Sequence, residues 1–521
     1  MCERPQRAGW ILTCLLVAAA VANINMSIAN VALNDVAVAL DATQDEQNLI
    51  ADAFTMALAA TVLYLGAVGD RYGRKALLLW GAVVSIPAAV VAAWAPSVEV
   101  LVAARLGGGV GAALLFPTTL SLISVLWSGR ARTRAIALWS GIGGSAAFLG
   151  SVVAGALLLW FWWGSVFLLT APFAAAVLVL GKLVIPADGD LATEPVDHLG
   201  GLLSVIGVAA LVLGVQEITG GVSPELIGLF VTALVVAVLF VVRQRRAPYP
   251  LVDLKLAGQP TFLVAAVAGA VSFGALIGAL YIGQQFTANV LQYDTFQSAA
   301  TTIPAAVLFL AGSPLASRWM TERGGRFTLT AGILCMGAGF VIIATLWAPG
   351  ASVWVVLLPY AILGAGTAFA GAAASTAIMG SLPASRAGMG SSFTDLTRDF
   401  GGALVQASMA AVLTVVYSGS MLASYAALPA EEAQRTSAEA AEAIAGSYQK
   451  AESVAAEYPP ASGDGLMADA AAAFSDGKTY AFVIAIVLVA VALAVVWRWY
   501  PRRDQEAAVF AGYAEELAQS S

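Results

Sequence analysis

Charge is scarce in this chain. Asp, Glu, Lys and Arg make up 11% of its 521 residues, against about a quarter in a soluble globular domain. With 60% hydrophobic residues and a mean hydropathy of +0.84, that shortage excludes a water-soluble fold. Histidine occurs once, as His198, and cysteine three times, as Cys2, Cys14 and Cys335. Neither a Cys/His metal cluster nor a disulfide framework is therefore expected. No glycine-rich phosphate loop points to ATP hydrolysis, and no Ser-His-Asp arrangement to hydrolysis. The expectation is a protein without metal, organic cofactor, nucleic-acid partner or catalytic centre.

What the chain does have is apolar length. A bilayer core needs about 20 consecutive apolar residues per helix. Fourteen such runs start near Trp10, Asn48, Ala76, Val98, Ala135, Phe161, Leu199, Leu226, Thr261, Ser298, Thr328, Val353, Met389 and Thr479. Lys and Arg fall almost wholly on even-numbered connections and the two termini, for example Arg71, Arg74 and Lys75 after span 2 and Arg243, Arg245 and Arg246 after span 8. The positive-inside rule then places both termini in the cytoplasm. The acidic excess behind the net charge of -7 is concentrated between Tyr417 and Asp476, on the opposite side. An apolar pattern that continues to Leu33 reads as an uncleaved first span rather than a leader.

Polar linkers divide the runs into six, two and six. The expected division is an N-terminal bundle over 1–186, two central spans over 187–258, a C-terminal bundle over 259–503 and a tail over 504–521. Within the C-terminal bundle the connection 417–476 is rich in Ala and Glu, favours helix between Pro429 and Glu457, and reads as a solvated extracellular cap, with a gating lid as the minority reading. The two blocks of six look like copies. SRWMTERGGRFTLTAG repeats the order of GAVGDRYGRK, with Glu322, Arg323, Gly325 and Arg326 standing for Asp70, Arg71, Gly73 and Arg74. Such halves mark transporters built around a midplane site.

An ionisable side chain centred in a span costs about 2.5–3.5 kcal/mol on insertion scales, so each needs a reason. Asp52 and Arg105 both lie about 8–10 Å below the outer surface at 1.5 Å per residue, with Asn25 at similar depth. The pair is a candidate ion pair: a packing bridge, or a carboxylate alternating between Arg105 and a proton. In span 13, FTDLTRDFGGAL sets Arg398 and Asp399 three and four residues after Asp395, within reach along a helix. One guanidinium then serves two carboxylates, which makes one of them a candidate proton carrier or, equally, part of an ion network locking helices. Tyr281, Gln284 and Gln285 in span 9 are candidate cavity or interhelical groups. His198, at the start of span 7, reads as an interface residue, and Trp160, Trp162 and Trp163 as an aromatic belt.

The stretch from Gly66 to Lys75 resembles the loop between spans 2 and 3 of the major facilitator superfamily, G-x-x-x-D-R-x-G-R-K, matching at Gly66, Asp70, Arg71, Gly73, Arg74 and Lys75. LVAARLGGGVGAALLFPTTLSLI in span 4 is similar to the pattern of the fourteen-span drug:proton antiporter branch at Arg105, Gly109, Gly111 and Pro117. SIANVALNDV in span 1 resembles that branch's signature, with Asn25 and Asn34 where an Asp and a Pro are usual. Span 5 resembles its antiporter stretch at Gly150 and Gly155, with Ser151 and Ala154 departing. The resemblance implies an all-α, two-bundle fold with two extra central helices in the plasma membrane. It implies proton-driven export of amphiphilic compounds by alternating access, with the proton gradient as energy source. It further implies that Asp70 and Arg74 form a cytoplasmic gate and that Arg105 takes part in proton transfer. With Asn25 replacing the span 1 acid, Asp52 is the candidate substitute.

The expected partners are an amphiphilic small molecule, protons and the lipid bilayer, with the chain as a monomer. Dedicated export of one endogenous lipid or metabolite, uncoupled facilitation, and a non-transporting membrane sensor stand as alternatives.

Overall fold

The computed structural model describes residues 5–186, 195–217, 223–383, 386–426, 444–456, 458 and 460–520. Among the described residues the regular structure is helical throughout, as hydrocarbon demands of any segment that must satisfy its own backbone. Among the described residues fourteen helices are long and apolar enough to cross a membrane: spans 1 to 6 at Ala8–Leu33, Leu49–Tyr72, Arg74–Ala93, Val98–Leu126, Gly129–Leu158 and Gly164–Val184; spans 7 and 8 at His198–Val215 and Pro224–Arg246; spans 9 to 14 at Pro260–Val290, Phe296–Arg323, Gly325–Leu346, Val353–Gly380, Ala387–Tyr425 and Ser462–Trp499. Most start within a few residues of the hydropathy reading. Span 5 begins earlier, at Gly129 rather than Ala135. The last helix begins at Pro460, well before the apolar run at Thr479, because MADAAAAF is a strong helix former without being greasy.

Spans 1 to 6 pack among themselves, with the pairs 3–4, 2–4 and 1–5 the most extensive, and spans 9 to 14 do likewise through 9–13, 11–12 and 10–12. Small residues set these distances: a Cβ on Gly111 would meet Ser85 Oγ at 2.6 Å, and one on Gly366 would meet the Gly332 carbonyl at 2.8 Å. Between the two groups, span 2 packs on span 13 and span 5 on span 10. Spans 7 and 8 pair with each other, and span 7 touches spans 2 and 13, at the seam. Exposed Ile227, Val231, Leu234 and Leu239 on span 8 present an apolar face suited to lipid.

The long extracellular connection is shorter as coil than the sequence reading had it, since span 13's helix runs to Ala426. Much of the helix expected between Pro429 and Glu457 lies outside the described residues. What is described docks one face, while Gln449, Lys450, Glu452 and Ser453 on the other are exposed. The helix Tyr448–Ala455 buries Tyr448, Ala451 and Ala455, and Ser418 Oγ donates to the Ala445 carbonyl at 2.7 Å.

Candidate functional site

Span 2 ends and span 3 begins around Gly73, whose φ of 112° is a conformation that L side chains rarely adopt. That turn brings Asp70 and Arg74 together, both buried. The Asp70 carboxylate accepts from Arg74 Nε at 3.0 Å and Nη2 at 2.7 Å. It also accepts two backbone N–H groups of span 13, Gly388 at 2.8 Å and Met389 at 3.2 Å. These are first-turn amides without intrahelical partners, at the positive end of a helix dipole, so an acid from one bundle caps a helix of the other. Gly66 lets the backbones meet, since a Cβ there would overlap Ser392 Oγ. Arg71 is half-buried at the end of span 2. Lys75 Nζ donates to the carbonyls of Lys182 and Ile185, capping span 6. Arg132 of span 5 adds a second cytoplasmic crossing, donating to the Met379 carbonyl of span 12 at 2.6 Å.

The repeat of this loop is in a different register from the sequence reading. The positive-φ glycine after span 10 is Gly324, at 84°, so Gly324 rather than Gly325 takes the place of Gly73. Glu322 consequently does not stand where Asp70 stands. It pairs at 2.8 Å with Arg318 on its own exposed helix face. The acid that meets this second loop comes from the tail helix Arg503–Ser520: Glu506 accepts from Gly325 N–H at 2.8 Å and from Tyr500 Oη at 2.7 Å.

Arg105 is buried in the outer half of the first bundle, but Asp52 is not its ion-pair partner. Its guanidinium donates to three backbone carbonyls, Asn25 at 2.9 Å, Ile50 at 3.2 Å and Ala51 at 3.3 Å. It also lies 4.8 Å from the Phe54 ring centroid and 5.8 Å from that of Phe167. Asp52 is half-buried and within electrostatic reach of Arg105. The guanidinium, placed between spans 1, 2 and 4, finds main-chain oxygens nearer. Asn25 Nδ2 donates to Val21, and Asn25 Oδ1 accepts from Thr170 at 3.3 Å.

The span 13 trio also differs from the expected ion network. Asp395, Arg398 and Asp399 share the helix, yet no ion pair joins them. Asp395 is fully buried and neither carboxylate oxygen has a hydrogen-bond partner; Asp399 Oδ2 and Arg398 Nε are unpartnered as well. Arg398 turns away toward Phe273, Phe116 and Trp139, with ring centroids 4.4, 5.2 and 5.9 Å from its guanidinium carbon. Its Nη2 donates to Asn23 Oδ1 at 3.4 Å. Arg398 lies about 16 Å along the helix from Ala387 at 1.5 Å per residue, near the midplane of a core about 30 Å thick. Sequence reasoning missed Asn23, Phe116, Trp139 and Phe273. An Asn two residues before Asn25 and three aromatics in apolar runs look like ordinary packing.

The other candidates lie elsewhere. Tyr281 and Gln284 are exposed and Gln285 is half-buried, and no side-chain hydrogen bond links them to the span 13 carboxylates. A Cβ on Gly150 would press Ile24 at 3.1 Å, whereas on Gly155 the nearest atom is Val31 Cγ1 at 3.8 Å. His198 Nδ1 meets Tyr64 Oη at 2.8 Å on the exposed side of the seam. Lys478, on span 14, is buried and caps span 11 through the carbonyls of Ile343 at 3.2 Å and Trp347 at 2.6 Å.

The sequence model of the Major Facilitator Superfamily matches residues 15–406. The chain belongs to the Major Facilitator Superfamily. It is 31% identical over 498 residues to the multidrug efflux pump LfrA of Mycolicibacterium smegmatis, covering 94% of this chain and 96% of that protein. It is 27% identical to the multidrug resistance protein Stp of Mycobacterium tuberculosis, covering 91% and 89%. The methyl viologen resistance protein SmvA of Salmonella typhimurium is 26% identical, covering 81% and 85%. The fold matches a solved structure of the proton:xylose symporter XylE with TM-score 0.61 at 13% identity, over 96% of this chain and 98% of that one. It matches the human organic anion transporter MFSD10 with TM-score 0.57 at 15% identity, over 94% and 100%. This facilitator is accordingly a multi-pass cell-membrane transporter of small molecules, not an enzyme.

Proposed function

We propose that this facilitator exports amphiphilic small molecules in exchange for protons, by alternating access between its two six-helix bundles, as a monomer with the proton gradient as its energy source. The observation that carries the reading is Asp395. It is fully buried at the seam, and neither oxygen has a hydrogen-bond partner. An ionised carboxylate left so costs several kcal/mol, so the neutral acid is the form that this arrangement tolerates. Gly388, Ser392, Asp395 and Asp399 follow one another at three- and four-residue spacing, on one helix face. That face includes the amide that Asp70 caps, so opening the gate would bring cytoplasmic water toward Asp395. Asp52, half-buried, is the weaker candidate because it can stay solvated without a proton.

Efflux as the direction is supported by the similarity to LfrA, a multidrug efflux pump, and to the resistance proteins Stp and SmvA. The test is a substrate-induced pH change in inverted vesicles, screened over cationic and neutral amphiphiles. Wild type should move protons against substrate, Asp395→Asn should not, and Asp52→Asn should retain the exchange. Proton exchange intact in Asp395→Asn would remove this assignment.

A further inference from the structure

Arg398 is seated away from the carboxylates that its own helix offers. Asn23 on span 1, Phe116 on span 4 and Trp139 on span 5 hold it from the first bundle, and only Phe273 belongs to the second. A cation of one half therefore rests in a seat built largely by the other. Phe116 and Trp139 are themselves stacked, with centroids 5.1 Å apart and planes at 27°, so the seat is preformed. Meanwhile Asp395, three residues earlier, has two unpartnered oxygens.

A charge-assisted bond to an ionised carboxylate is stronger than cation–π contact with a ring, and more so away from water. The aromatic seat wins only while Asp395 is neutral. We propose that Arg398 is the positioning residue that couples proton to bundle motion: its guanidinium occupies the seat of Phe116, Trp139 and Phe273 while Asp395 holds a proton, and swings to Asp395 when that proton leaves. The step breaks one O–H bond and delivers the proton to water. The guanidinium keeps its charge, the site loses one positive unit, and spans 1, 4 and 5 lose a contact to span 13.

The charges that act on Asp395 are those of Arg398 and Asp399. The other titratable groups on elements packed against span 13 are Asp52, Tyr64, Asp70, Arg71 and Tyr72 on span 2, Glu99 and Arg105 on span 4, His198 on span 7, Tyr281 on span 9, Tyr360 on span 12, and Asp464, Asp469, Asp476, Lys478, Tyr480 and Arg498 on span 14.

The proposal rests on the proton-coupled reading, but its test needs neither substrate nor gradient. Emission of the purified full chain is recorded from mildly acidic to mildly alkaline pH, with a Trp139→Phe variant subtracted to isolate Trp139. The expected result is a shift of Trp139 emission with a single inflection, lost in Asp395→Asn, where the guanidinium stays seated at every pH. A flat wild-type difference, which requires no carboxylate variant to interpret, overturns the swing. So does a shift that persists unchanged in Asp395→Asn. Either outcome leaves proton-coupled export to be decided by the vesicle assay.

Discussion

The Asp70 carboxylate accepts the Gly388 backbone N–H at 2.8 Å across 318 residues of sequence. It is the shorter of the two hydrogen bonds by which this carboxylate holds the start of span 13, the other coming from Met389 N–H at 3.2 Å.

Replacing Asp70 with Asn removes the charge while keeping the shape. Hydrogen bonds to a charged group contribute about 1.5–3 kcal/mol, which is roughly 10–100-fold in the closed-to-open ratio. With native cysteines replaced, a cysteine substituted for the buried Ser392 should be labelled by an impermeant maleimide from the cytoplasmic side much faster in Asp70→Asn than in its absence. Unchanged labelling would show that the gate is held elsewhere.

The motif glycines should not respond alike. Gly66→Ala places a methyl against Ser392 Oγ and the Gly388 carbonyl, so transport should fall at least tenfold with the protein still in the membrane. Gly155→Ala meets only Val31 at 3.8 Å and should transport as wild type. Parallel measurement of transport and membrane abundance decides between them.

Arg105→Lys keeps the positive charge but loses the planar fork that reaches three carbonyls. The expected cost is about 1.5–3 kcal/mol of stability, seen as a lower midpoint of thermal unfolding in detergent. Arg105→Ala should lose more, since it leaves all three carbonyls without that donor. An unchanged midpoint in Arg105→Lys would mean that charge alone matters there.

Tail docking should depend on pH. Burial pushes the Glu506 carboxyl above its ordinary value of 4.5, opposed by the hydrogen bonds from Tyr500 and Gly325. A carboxyl raised in the docked state stabilises docking below its unfolded value and loses that contribution as pH rises through the folded one. Amide protection over 503–512, corrected for intrinsic exchange, should therefore fall from acidic to alkaline pH. Glu506→Gln, which has no proton to lose, should flatten the profile.

The fold was legible because its signals are local. Apolar length gave the fourteen spans, and Gly73 with its flanking charges marked a turn wherever the helices went. Even so, the repeated loop was misread by one position, because SRWMTERGGRF offers two adjacent glycines and only the backbone shows that Gly324 carries the positive φ. The buried charges were found but their partners were not. Spacing put Arg398 within reach of Asp395, yet a guanidinium can turn to either side of its helix. Which side depends on what the neighbouring spans bring.

The amino-acid order by itself determined how many times this chain crosses the bilayer, which connections face the cytoplasm and which few side chains are ionisable at depth. Transfer free energy and positive charge add up segment by segment. Tertiary structure alone decided that Arg105 bonds main-chain oxygens instead of Asp52, that Glu506 takes the second loop, and that Arg398 sits with Asn23, 375 residues away. Those choices depend on the rotation and depth of helices set side by side only after packing, where a shift of one residue turns a side chain about 100° to another neighbour.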